Sequence, residues 1–461
     1  MKLFRYISTT LLLTVIAQAS FAKVETLANG SFLDSDVNPA LPRQTLFFVY
    51  PGGPALIEKT MQGTVDVIID LLAEGPSSMK ADDYRRALFL SNAEIEAVAT
   101  MKGILFRVKA PAESLQPAID LAVKTLAEPR FDQESFDRSK AKTLSKAVQQ
   151  FEDMQSVVFF YGTRRATLDN PFVYDGSGSP STVKNITLAG VKESFAKLFD
   201  RKHMYVVTSG PVSSGKVASV INLSLFKSSA TPKFVALPGQ DVDAADIGKK
   251  TPRGMTVHII NKPGATDNQI LFIYPELIKR ASKEEVIAGV SHNILGGGLT
   301  GRLGKTLRKE RGLTYHASSF VGQPGWMIYT FGGDEQVEGL LKGSAEVVAA
   351  FKKEKLVNSE IAETKSTLDN KHRQRFELPG DVLMEKIRLR LFGRDDGFVE
   401  KYQGMLDKVT PGDVKSFITS KVNTETGMLV VMGDAEKLKK TLAKAGYDVT
   451  KITVVEIDQV M

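Results

Sequence analysis

Side chains able to do chemistry are few in this 461-residue chain. It has no cysteine, which removes disulfides, thiolate metal sites and a cysteine nucleophile. Five histidines remain as strong metal ligands or proton shuttles: His203, His258, His292, His316 and His372. No two lie close enough in sequence for a local ligand pair, so any metal site has to be assembled from distant segments. The most informative stretch is ILGGGLTGRLGKTLRKERGLTYHASSF from Ile294: a glycine-rich loop, a short basic helix, then a strand. It is not a phosphate loop, because G-x-x-x-x-G-K-T ending at Thr306 needs a glycine where Leu299 stands. Gly296, Gly297 and Gly298 suit a bare backbone approaching a peptide, and equally a plain turn before a helix. Thr300 reads as the cap of a helix running to Arg311, and Gly312 as its left-handed terminator. Tyr315 then falls on the following strand, where Arg308 and Tyr315 can converge. Taken singly, an arginine on a basic helix is usually a solvated cation and a tyrosine in a strand is usually core. His292, off the apolar stripe of its helix, and His316, beside Tyr315, read as hydrogen-bonding residues without an assigned role.

The elements that must position these residues are duplicated. TLAGVKESFAKLFDRKHMYVVTSG from Thr187 and TPGDVKSFITSKVNTETGMLVVMG from Thr410 are one unit, a threonine-capped helix followed by a β-branched strand ending at glycine. The offset, 410 minus 187, is 223 residues, close to half the chain. Earlier in each half a strand (46–50, 270–274) precedes a helix (65–72, 286–295). Leu115, Ala118, Ile119, Ala122 and Leu126 fall at helical spacing, as do Val337, Leu340, Leu341, Val347, Val348 and Phe351. Strands are expected at 104–108, 313–321 and 326–331, the last two joined as a hairpin. The expected fold class is α+β, in two homologous domains, each an antiparallel sheet covered by helices on one face. Proline, glycine and serine without apolar periodicity mark 226–254 as a linker between domains at 23–225 and 255–461.

With 43% hydrophobic and 25% charged residues, the composition is globular and excludes a disordered or polytopic membrane chain. Lys2 and Arg5 precede an apolar run at 11–17, and Ser20-Phe21-Ala22 offers small residues at a cleavage point, so residues 1–22 read as a secretory signal peptide. No later run of apolar residues is long enough to span a bilayer. Without 1–22, 58 basic residues stand against 53 acidic ones, a net charge of +5. The cations are interleaved with acids along helices, which fits a solvated surface and not a nucleic-acid site.

The glycine loop, the arginine seven positions before a tyrosine, and the R-G-L-x-Y string from Arg311 together resemble the C-terminal domain of the insulinase or pitrilysin-like zinc metallopeptidases. That family includes the mitochondrial processing peptidase and bacterial periplasmic members. The resemblance covers most of 45–456, with the usual first strands before Gln44 looking truncated. Active members carry H-x-x-E-H on the first helix of the N-terminal half. Here the aligned helix reads GTVDVIIDLLAEG from Gly63, so Asp66 and Asp70 stand at the histidine positions and Ile69 at that of the glutamate. Isoleucine can neither hold zinc nor take a proton from its bound water, and two aspartates favour a hard ion. They read as a solvated helix face. The helix expected to carry the third ligand, FDRSKAKTLSKAVQQ from Phe136, holds no glutamate. No metal ligand is therefore assigned in this chain.

In the family, the arginine and tyrosine matched by Arg308 and Tyr315 reach across to substrate held at zinc, and the resemblance implies the same here. Guanidinium and phenol would stabilise charge on a scissile carbonyl oxygen. The resemblance thus implies a non-metal-binding subunit of a two-chain periplasmic metallopeptidase, in which a homologous H-x-x-E-H partner supplies zinc and a peptide lies as an added strand at a sheet edge. Gly296, Gly297 and Gly298 are the expected substrate-binding backbone. A homodimer is also compatible. The alternative is a catalytically inactive homologue that binds peptides or acts as a scaffold. An independent zinc peptidase would need ligands that the sequence does not show.

Overall fold

A computed structural model describes residues 23–167, 176–226, 233–235, 254–276, 278–322, 325–422 and 426–460. The expected leader at 1–22 and nearly all of the expected linker lie outside the described residues.

Among the described residues two six-stranded sheets form the frame. The first contains β1 (Lys23–Thr26), β2 (Phe32–Val37), β3 (Gln44–Pro51), β4 (Glu94–Thr100), β5 (Gly103–Ala110) and β6 (Tyr205–Gly210), in the order β1-β2-β6-β3-β5-β4. The second contains β7 (Gly254–Asn261), β8 (Asp267–Pro275), β9 (Ala317–Val321), β10 (Gly325–Gly333), β11 (Thr426–Gly433) and β12 (Ile452–Glu456), in the order β12-β7-β11-β8-β10-β9. From the second position onward the two orders correspond strand for strand, and the offset of 223 carries Gln44 onto Asp267 and Gly210 onto Gly433. The α+β class and the duplication are as the sequence indicates. Both sheets are mixed, however, and not antiparallel: β2 pairs parallel with β6, and β7 pairs parallel with both β11 and β12. Periodicity reports a strand's faces but not its direction relative to a neighbour. Nor is the N-terminal sheet truncated before Gln44, since β1 and β2 stand there.

The helices follow in order: α1 (Thr64–Ala73), α2 (Ala81–Leu90), α3 (Leu115–Ala127), α4 (Gln133–Glu152), α5 (Met154–Ala166), α6 (Pro180–Lys184), α7 (Leu188–Leu198), α8 (Ser214–Leu225), α9 (Lys283–Gly296), α10 (Val337–Lys353), α11 (Asn358–Arg375), α12 (Pro379–Leu391), α13 (Phe398–Asp407), α14 (Pro411–Lys421) and α15 (Ala435–Lys444). The repeated threonines cap as expected. Thr187 accepts from the Gly190 amide at the start of α7, and Thr410 forms a capping box with Asp413 on α14. Between them these caps fix where each repeated helix begins and hence how it meets its strand.

Helices cover both faces of each sheet, not one, and the second layer is exchanged between halves. Val157, Val158 and Tyr161 of α5, from the first half, pack on Leu271, Ile273, Tyr329 and Val430 of the second sheet. Gly162 permits this approach, because a Cβ there would stand 2.8 Å from Ile273 Cδ1. Reciprocally, Leu383, Ile387 and Leu391 of α12 pack on Phe47, Val49, Leu105, Tyr205 and Val207 of the first sheet. Arg390 of the same helix joins Asp34 of β2 and Asp396. The halves are therefore interlocked through their apolar cores, and each completes the other's burial.

Candidate functional site

The glycine-rich segment begins where α9 ends. Val286, Val290 and Ile294 bury one face of this helix, and Gly296 lies so close to β9 that a Cβ would stand 2.3 Å from the Ser319 amide nitrogen. At Gly297 a Cβ would meet the Asn293 carbonyl oxygen at 2.5 Å, and Gly298 adopts a left-handed φ of +79°. Packing and turn geometry thus account for these three glycines, and none of them lines the cleft described below. The chain then forms a short 3-10 turn (Gly298–Thr300) and a π-helix (Gly304–Glu310), in place of one α-helix capped by Thr300.

The π-helix is held from both ends. Arg302 binds Glu360 through two parallel hydrogen bonds of 3.0 Å, adds Glu354 at 2.9 Å, and lies over the Phe351 ring. Leu303 and Leu307 are fully buried, and Arg311 pairs with Glu346 of α10 at 2.7 Å. Gly312, at φ +62°, ends the helix as the sequence indicates. Its amide donates to the Arg308 carbonyl at 3.2 Å and that of Leu313 to the Leu307 carbonyl at 2.8 Å. Each bond spans one residue more than in an α-helical Schellman ending, as the wider π turn requires. With Leu307 facing the core, Arg308 falls on the solvent side.

Tyr315 is not on the strand, which starts only at Ala317. It occupies a bend and is 81% exposed, flanked by the buried Thr314. Arg308 and Tyr315 line one open cleft of about 510 Å³ with Asp267, Gly312, Leu313, Thr314, Phe331, Gly332, Gly333 and Gln336. Neither the Arg308 guanidinium nor the Tyr315 hydroxyl has a hydrogen-bond or ion-pair partner among the described residues, and the Asp267 carboxylate is likewise unpaired. Such a cleft offers an unspent fork of donors, a phenol and one carboxylate around an apolar floor of Leu313 and Phe331. Asp267 and Gln336 carry no local signal in the sequence. They arrive only because β8 and β10 pair, which sets Asp267 opposite Gly333.

Both nearby histidines are engaged. His292 Nδ1 lies 2.9 Å from Ser319 Oγ, and burial, with the Lys371 charge adding to it, pushes the imidazole pKa down to about 4. His316 Nε2 lies 2.8 Å from Ser318 Oγ.

The helix that the resemblance aligns with H-x-x-E-H is α1. Ile69 packs against the N-terminal core. Asp70 is not a solvated residue of the helix face: its side chain is 18% exposed and pairs with Lys142 of α4 at 2.7 Å. One turn on, Glu74 takes Arg138 at 3.0 Å. A fixed ammonium thus sits against the carboxylate that would have to bind the ion, so these residues do not fit zinc. Among the described residues no three His, Asp or Glu side chains gather as a metal site.

The model of the peptidase M16 inactive domain matches residues 185–368, which include the whole glycine loop, the π-helix and Tyr315. Over that segment the chain resembles the M16 inactive-domain family. An uncharacterized zinc protease of Streptomyces coelicolor is 22% identical over 361 residues, covering 77% of each chain. A non-peptidase homologue of Helicobacter pylori is 22% identical over 281 residues, 60% of this chain and 62% of its own length. Among solved structures, a peptidase M16 inactive domain from Pseudomonas fluorescens superposes with a TM-score of 0.76 at 20% identity, covering 90% of this chain and 98% of that one. A protease from Helicobacter pylori reaches 0.72 at 16% identity, with 89% and 98% covered. The chain thus shares the two-sheet fold of those structures. Among its described residues no helix is long and apolar enough to cross a membrane.

Proposed function

We propose that this M16-like protein is the non-metal-binding, substrate-binding subunit of a heterodimeric periplasmic zinc peptidase that degrades or processes peptides. One observation carries the reading: Arg308 and Tyr315 are both solvent-facing, without partners among the described residues, and line the same cleft. Donors left unpaired cost the fold nothing, and they are available to a carbonyl that develops charge. The Arg308 guanidinium and Tyr315 hydroxyl bind and orient that oxygen, and the open edge of β9, two residues beyond Tyr315, receives the peptide as an added strand. A homologous partner with H-x-x-E-H supplies zinc, because the helix of Asp66 and Asp70 does not fit it. The leader read at 1–22 delivers the chain to the periplasm.

A second reading, a peptide-binding or scaffold protein without catalytic partnership, draws on the non-peptidase homologue among its relatives. The test is reconstitution. The H-x-x-E-H homologue from the same organism is co-expressed with this chain, and cleavage of an unfolded peptide is followed with each chain alone and with both. The first reading expects turnover in the mixture only. Full turnover by the zinc-bearing chain alone, or no complex between the two, refutes it.

A further inference from the structure

The backbone around Tyr315 departs from the sheet in an ordered way. β9 pairs with β10 as far as Ala317 opposite Thr330. Continuing that register would set His316 against Phe331 and Tyr315 against Gly332, with the phenol beside the sheet. The chain instead leaves the ladder, and two threonine hydroxyls take over the peptide groups that lose their partners. Thr314 Oγ1 donates to the Phe331 carbonyl at 2.6 Å and accepts from the His316 amide at 3.0 Å. Thr330 Oγ1 donates to the His316 carbonyl at 2.9 Å. Thr314 is 6% exposed and Thr330 fully buried, so neither hydroxyl has water as a substitute, while Tyr315 between them is 81% exposed. A hydroxyl bonded two residues ahead in its own chain and to the neighbouring strand at once leaves the intervening residue little freedom.

We infer that Thr314 and Thr330 form a hydroxyl clamp that holds the Tyr315 phenol out of the sheet and over the Arg308 cleft, making both threonines positioning residues for peptide binding. The inference rests on the reading that Arg308 and Tyr315 contact the peptide. Neither threonine touches the peptide; the clamp acts through the backbone of His316. A valine at either position keeps the shape and deletes the hydroxyl, whereas a serine at 314 keeps the hydroxyl.

The test uses the chain without its leader at 1–22, labelled with 3-fluorotyrosine, which gives 10 fluorine signals (11 tyrosines less Tyr6), that of Tyr315 being assigned by its loss in Tyr315→Phe. Thr314→Val is expected to shift and broaden the Tyr315 signal alone and to weaken binding of a fluorescein-labelled unfolded peptide about 10-fold, with Thr314→Ser restoring both. Thr330→Val is expected to move the same signal by less. An unmoved Tyr315 signal in Thr314→Val, movement of all the signals together, or failure of the serine to restore it overturns the clamp. Should Thr314→Val not fold, Thr330→Val decides on the same criterion. If the signal moves as expected but Tyr315→Phe binds peptide as tightly as the native chain, the clamp stands as geometry and the functional reading beneath it falls.

Discussion

Arg308→Ala separates function from stability more sharply than any other single change. The guanidinium is exposed and makes no hydrogen bond or ion pair among the described residues, so its removal is expected to change unfolding free energy by less than about 0.5 kcal/mol. Its immediate neighbour Leu307 is fully buried against α10, where a Cβ on Gly343 would stand 2.6 Å from Leu307 Cδ2, so Leu307→Ala should cost about 3 kcal/mol. The rate follows the opposite order. A donor aimed at a developing oxyanion contributes roughly 100- to 1000-fold, or about 3–4 kcal/mol of barrier, and Arg308→Ala should lose that much turnover in the reconstituted two-chain enzyme. Arg308→Lys keeps the charge but not the planar fork and should recover only part. The assay pairs denaturant unfolding of each variant with initial rates at limiting peptide, so that the loss is read in kcat/KM. Turnover of the Arg308→Ala mixture equal to wild type would sink the proposed role. A stability loss matching that of Leu307→Ala would show instead that the arginine is a packing residue.

Two further outcomes test the fold around this site. Desolvation holds the pKa of the partly buried His292 down at about 4, against about 6.5 in the unfolded chain. Because the folded value is the lower one, stability is fully present above pH 6.5 and falls as the pH drops toward 4, by about 3 kcal/mol from this group at most. Denaturant unfolding at stepped pH, flatter in His292→Gln than in wild type, and an imidazole NMR titration check it, and a midpoint near 6.5 would refute it. Ile387→Ala opens a cavity between α12 and the first sheet, where Ile387 is fully buried beside Phe47, Val49 and Tyr205, and should cost about 2–4 kcal/mol. The two halves should unfold together in that variant. A separate early transition of the second half would contradict the interlock.

Local physics was legible in the sequence. Threonine caps at 187 and 410, the left-handed stop at Gly312 and the duplicated helix–strand units depend on a few adjacent residues, so one-dimensional spacing carries them. The absence of H-x-x-E-H and the R-G-L-x-Y string are likewise properties of the text itself. Contacts between distant residues decided the rest. Whether β2 runs with or against β6, and whether α5 and α12 cover their own sheet or the other one, turns on burial gained across more than a hundred residues, which no window of periodicity records. Asp70 looked like a solvated residue until α4 brought Lys142 against it, 72 positions away. The same holds at the cleft: Tyr315 satisfies every strand pattern, yet the hydroxyls of Thr314 and Thr330 compete successfully for its neighbour's peptide groups and turn it out. The amino-acid order specified which donors this protein carries; three-dimensional pairing determined that two of them share one opening and that an ammonium stands against Asp70.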